Sequence, residues 1–77
     1  MPRLPVISGK TLLKVLTKHR YIALRKKGSH VFVESSAGKL GTAIPIHDNE
    51  DLSPGLLKSI LNDLDLSTQD LRRMMRK

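Results

Sequence analysis

Leu12, Leu13 and Leu16 recur at helical spacing, while Lys10, Lys14 and Lys18 fall mostly elsewhere around the turn. Ser8 stands just before this stripe and suits an N-cap, because its hydroxyl can accept from an orphan backbone N–H. The pattern predicts a helix over 9–19. From Tyr21 the period changes to two: residues 21–26 alternate, and so do 29–34. Between them, Lys27-Gly28 reads as a two-residue hairpin loop in which glycine takes a positive φ. That register sets Lys26 against Ser29, Arg25 against His30 and Leu24 against Val31. It assigns Ile22, Leu24, Val31 and Val33 to the core face, and Tyr21, Ala23, Arg25, His30, Phe32 and Glu34 to the other.

A second turn over 35–39 leads to a third strand over 40–47. Thr42, Ile44 and Ile46 share one face, and Ala43, Pro45 and His47 share the other. Pro45 has no N–H to give a ladder, so this strand belongs at a sheet edge or ends near it. An acidic loop follows over 48–52. Ser53-Pro54 is a helix start, a cap followed by proline at the first helical position. Leu56, Leu57, Ile60, Leu61 and Leu64 form the stripe of a helix over 54–64. Asp65 tolerates the left-handed conformation that often ends a helix. Ser67-Thr68-Gln69-Asp70 resembles a capping box with Asp in place of Glu. A short helix carrying Leu71, Met74 and Met75 ends in Arg72, Arg73, Arg76 and Lys77. Met74-Met75 reads as a satellite core or as a partner surface. Pro2 and Pro5 leave residues 1–7 as a flexible arm.

The order is therefore α-β-β-β-α with a trailing α. This is an α+β fold, in which a three-stranded antiparallel sheet carries both main helices on one face. Such a packing buries every stripe and leaves the other sheet face open. One domain accounts for residues 1–77.

Charge narrows the partners. Fourteen Lys and Arg against seven Asp and Glu leave +7. That excess favours a polyanion, most simply nucleic acid, over a merely solvated basic surface. Tyr21 and Phe32 are the only aromatic residues, so contact with the nucleic-acid backbone is expected rather than a base-stacking platform. The absence of cysteine excludes disulfides and thiolate metal sites. No secretory core and no run of ~20 apolar residues is visible, so the chain reads as soluble and cytoplasmic, without a membrane partner.

The chemistry concentrates in Arg25-Lys26-Lys27-Gly28-Ser29-His30. An imidazole beside fixed cations suits a phosphodiester. RNA carries its own nucleophile, the 2′-hydroxyl. An enzyme then needs a base for that hydroxyl, donors for the phosphorane oxygens and an acid for the leaving oxygen. No metal or other cofactor is required. On composition and spacing alone, an inconsequential exposed histidine is the stronger reading of His30. His47 is a second acid or base, a phosphate contact, or an ordinary loop residue. His19, at a helix end, suits the helix dipole. A metal site from His30, His47 and Asp48 lacks a close-spaced ligand pair.

Three blocks change those weights: Arg25-x-x-Gly28-Ser29-His30, Ile44-Pro45-Ile46-His47, and the stretch from Asp51-Leu52-Ser53-Pro54-Gly55 through Leu57-Lys58-Ser59-Ile60-Leu61. In this order and spacing, the chain resembles the HicA toxin family from Ser8 to about Leu71. The resemblance implies a double-stranded-RNA-binding-domain-like fold and an mRNA interferase, a ribonuclease of a type II toxin–antitoxin system. It makes His30 the catalytic residue and implies a HicB-like antitoxin covering the site. Gly28 then allows the turn, Ser29 binds phosphate or orients the ring, and Arg25, Lys26, Lys27 and His47 are candidate RNA contacts. The alternatives are a non-catalytic RNA-binding module of the same fold and a purely protein-binding domain. The family often has glycine where this chain has Asp48 and Asp65, and often threonine where it has Leu56.

Overall fold

The computed structural model of the protein describes residues 3–47 and 50–76. Its elements run α1 (Gly9–Thr17), β1 (Tyr21–Lys27), β2 (His30–Ser35), β3 (Gly41–Pro45), α2 (Pro54–Asp63) and α3 (Thr68–Met74). The expected order, α-β-β-β-α-α, is the one observed. The acidic loop over 48–52 and the arm over 1–7 fall partly outside the described residues, and Asp48, with the metal site that would use it, falls wholly outside them.

The helix ends follow from the residues that mark them. Ser8 caps α1, its hydroxyl accepting from the Thr11 N–H at 3.2 Å. Ser53 does the same for Leu56 at the start of α2, with Pro54 in the first turn. Each bond satisfies a backbone donor that has no partner inside the helix. Asp65, just beyond α2, has φ 56° and turns the chain in the left-handed region. Ser67 and Asp70 complete a reciprocal capping box on α3. The bonds from Ser67 hold the Asp70 carboxyl below the usual range. Its contribution to stability is therefore present above the ordinary carboxylate pKa and is lost as pH falls through the lowered value.

The three strands form an antiparallel sheet in the order β1-β2-β3. Val31 and Val33 of β2 and Ile44 of β3 point into the core, where they meet Leu12 and Leu16 of α1 and Leu57, Ile60 and Leu61 of α2. Leu64 and Leu71 extend the same core towards α3, and Met74 packs at its margin while Met75 stays on the surface. Both main helices thus cover one sheet face, and the other is left open. Ile7 is also buried, and its carbonyl accepts from the Leu52 N–H at 2.9 Å. That bond lays the described part of the N-terminal segment beside the entry to α2.

Among the described residues, one polar side chain is buried. Thr42 is buried on the core face of β3, and its hydroxyl donates to Asp63 of α2 at 2.9 Å. The bond ties the edge strand to the last turn of the helix. Thr42→Val keeps the shape but removes the donor. It is expected to lower stability by about 1–2 kcal/mol, read as a shifted urea midpoint with an unchanged slope.

The candidate nucleic-acid interface

The hairpin that carries His30 turns at Gly28-Ser29, one residue later than the alternation suggests. Lys27 pairs with His30 and closes the loop. Gly28 has φ 60°, and Ser29 is not among the residues of positive φ. Glycine at the first central position is the type II′ requirement, and its twist matches the strands. A type I′ turn at Lys27-Gly28 would force Lys27 as well into the left-handed region, which disfavours a residue with a β-carbon.

The shifted turn changes the pairing. Arg25 lies opposite Phe32 rather than His30, and Lys26 lies opposite Val31 rather than Ser29. A bulge between Ala23 and Arg25 then slips the register once more. Beyond it, Ala23 pairs with Val33 and Tyr21 with Ser35, so Tyr21 packs against the core. Ile22 and Leu24, expected inside, are each half exposed. The extra residue at the bulge reverses which alternate positions face the helices.

His30, Phe32 and Ala43 share the open face with Arg25 and Lys27, and all five line one shallow depression. The Arg25 guanidinium lies 6.0 Å from the centre of the Phe32 ring, at the outer reach of a cation–π contact. Phe32 therefore supports Arg25 as a cross-strand neighbour. Lys26 does not join this group. Its partner Val31 points into the core, so Lys26 leaves β1 on the helix side.

A second depression begins at His30 and runs towards α2. His47, Glu50, Asp51 and Leu56 line it with Pro45. His30 thus stands where the two meet, with cations on one side and carboxylates on the other. The structure brings His47 to the same depression as His30, which sequence spacing left open. Leu56 is half exposed here, at a position where the resemblance leads one to expect threonine.

Backbone bonding fixes the end of the hairpin. The Ser29 carbonyl accepts from the Ile46 N–H at 2.6 Å, and His30 lies opposite Pro45. His30 and Pro45 are therefore a non-hydrogen-bonded pair, in which the backbone groups of each point away from the other strand. The N–H that Pro45 lacks would have faced the open side of an edge strand, so the ladder loses nothing. Below the same residue, Gly9 of α1 is buried where a β-carbon would fall on the Pro45 carbonyl.

Among the described residues, no group of three His, Cys, Asp or Glu side chains is placed to hold a metal ion. Among them, too, no helix is long and apolar enough to cross a membrane.

Residues 9–66, which hold the three strands, the Gly28-Ser29-His30 hairpin and His47, match a family model described as "HicA toxin of bacterial toxin-antitoxin". The chain belongs to the HicA toxin family. As a HicA toxin it is the toxin of a toxin–antitoxin system and has an antitoxin partner. No curated protein and no solved structure matches the chain. The HicA match holds α1, the whole sheet and α2, and it ends one residue after the left-handed turn at Asp65. Residues 3–8 and α3 lie outside it.

Proposed function

We propose that this HicA toxin is a cytoplasmic ribonuclease that cuts messenger RNA, with His30 as general base or acid. The observation that carries the reading is the placement of His30 in one depression with Arg25 and Lys27, on the face the helices leave open. A phosphate seated there lies between the imidazole and two cations. The 2′-hydroxyl of the preceding nucleotide attacks phosphorus, the phosphorane oxygens gather negative charge, and the 5′-oxygen leaves. A histidine takes or returns the proton, while Arg25 and Lys27 stabilise the charge. Ser29 binds phosphate or orients the ring, and His47 is the candidate for the second proton transfer. RNA supplies the nucleophile, so the chemistry calls on no metal. A HicB-like antitoxin that sets acidic side chains over Arg25, Lys27 and His30 would exclude RNA by charge and by volume.

Cleavage of RNA by the purified toxin with chelator present tests the proposal. Persistent cutting supports it, and loss of cutting that returns with a divalent ion overturns the metal-free chemistry. The two lysines of the hairpin separate the faces. Lys27→Glu is expected to weaken RNA binding about tenfold or more at low salt, whereas Lys26→Glu changes it much less. Equal losses would show that the open face is not where RNA lies.

A second reading rests on a different observation. Among the described residues, no hydrogen bond fixes the His30 ring, so nothing there selects its tautomer. That favours a non-catalytic RNA-binding module of the same fold. Salt-dependent RNA binding by the wild type without any cleavage would establish it.

A further inference from the structure

The charge of this chain is unevenly divided. Outside residues 9–66 it carries five of its fourteen Lys and Arg but only one of its seven Asp and Glu, Asp70. Four of those five cations, Arg72, Arg73, Arg76 and Lys77, belong to α3 and the residues that follow it, beyond the family match. Leu71 buries the inner side of α3 in the core, and Arg72, Arg73 and Arg76 remain exposed. All three line one shallow depression with Gln69, and Arg72 and Arg76 line another with Pro5 and Met75. Arg72 is held in place by donating to the Arg3 carbonyl at 3.1 Å.

Among the described residues, little neutralises these groups. Asp70 reaches Arg73 at 3.9 Å, but both side chains are well exposed, and its other oxygen is engaged by the Ser67 N–H. An exposed pair of that kind is worth little. A helix dipole accounts for a cation in the last turn. It does not account for three that line adjoining depressions, one of them pinned across to the N-terminal segment.

We infer that α3 and residues 3–5 form a second RNA surface, which holds the phosphodiester backbone of the substrate away from His30. The inference rests on the ribonuclease reading above and adds to it a division of labour. Leu71 places α3 on the helix side of the sheet, whereas His30 lies on the open side. An RNA long enough to pass around the sheet edge touches both surfaces, and a dinucleotide touches only one. The α3 surface therefore sets affinity for long RNA without taking part in bond cleavage. Guanidinium groups suit this role because they pair bidentately with phosphate and stay charged.

The test uses the non-cutting His30→Ala protein and a long oligouridylate, with affinity measured across a range of salt. Each phosphate contact on a single strand contributes about 0.7 to the slope of log affinity against log salt. Replacing Arg72, Arg73 and Arg76 together by Gln is expected to reduce that slope by about 2. Arg73→Gln with Arg76→Gln, which spares the Arg72 bond to Arg3, is expected to reduce it by about 1.4. In the cutting protein, the same changes raise KM for long RNA and leave dinucleotide cleavage as it was. Unchanged slopes in both variants overturn the second surface while leaving the ribonuclease reading intact. A parent protein that binds no RNA overturns both. Variants that keep the RNA slope but lose affinity for an acidic peptide, or for duplex DNA alone, overturn the assignment to RNA.

Discussion

Replacing His30 with alanine is expected to lower RNA cleavage by about 10²–10⁴-fold, the usual contribution of one positioned acid or base. Stability should barely change. The side chain is exposed, makes no hydrogen bond among the described residues, and lies opposite a proline in a non-hydrogen-bonded pair. The loss can therefore be read as chemistry rather than unfolding. RNA affinity should also persist, because Arg25, Lys27 and the arginines of α3 are untouched. The decisive comparison is growth arrest and mRNA decay after induction in a host without the antitoxin. If wild type and His30→Ala arrest growth and degrade mRNA equally, His30 is not the group that moves the proton. The same pair assayed in vitro separates binding from cutting.

Gly9→Ala is expected to cost about 3 kcal/mol, against the usual sign for such a change. In a helix, alanine normally gains about 1 kcal/mol over glycine. Here a β-carbon would fall on the carbonyl oxygen of Pro45 and press against the Ile44 side chain. A backbone oxygen cannot rotate away, so α1 or the end of β3 must shift. Gly55→Ala, in the first turn of α2, is the matched control, because a β-carbon there meets nothing within 4 Å. That variant should be neutral or slightly stabilising. Urea melts of both proteins decide the point: equal midpoints would mean that α1 does not rest on β3 in this way. Pro45 also pairs with His30, so residual folded Gly9→Ala should cut RNA poorly, its strand end being displaced beneath the imidazole.

Most of the fold was legible because its boundaries carry their own chemistry. Ser8, Ser53-Pro54 and Ser67 with Asp70 mark helix starts through side-chain bonds that local sequence alone can specify. Asp65 marks a stop through its tolerance of the left-handed region, at a position where the family often has glycine. The sheet register was harder. Choosing between Lys27-Gly28 and Gly28-Ser29 as the loop depends on which central positions need the positive φ: Gly28 alone satisfies a type II′ loop, whereas a type I′ loop one residue earlier needs it at Lys27 too. The bulge near Leu24 has no residue marker, since neither glycine nor proline accompanies it. The packing of Tyr21 decides it, and that is a tertiary effect.

The site divides the same way. His30 and Arg25 were visible because a two-residue loop at either Lys27-Gly28 or Gly28-Ser29 puts them on one face, whereas Lys27, read as a loop residue, joins them only in the observed pairing. Lys26 was included because it is adjacent in sequence, but strand geometry sends neighbours to opposite sides. The support of Arg25 by Phe32 was missed because it depends on the corrected pairing. A turn rule that asks for glycine at the first loop position would have found it.

The bulge also bears on how the toxin behaves in a crowded solution. It leaves Ile22 and Leu24 half exposed on β1, a strand that has no neighbour on its outer side among the described residues. An unpaired edge with apolar side chains is a template for another copy to join, and proteins blunt such edges with bulges and lysines. Arg25, Lys26 and Lys27 follow Leu24 directly. Lys26, which faces away from His30, is placed to act as a gatekeeper against self-association. Removing its charge should cost solubility rather than affinity.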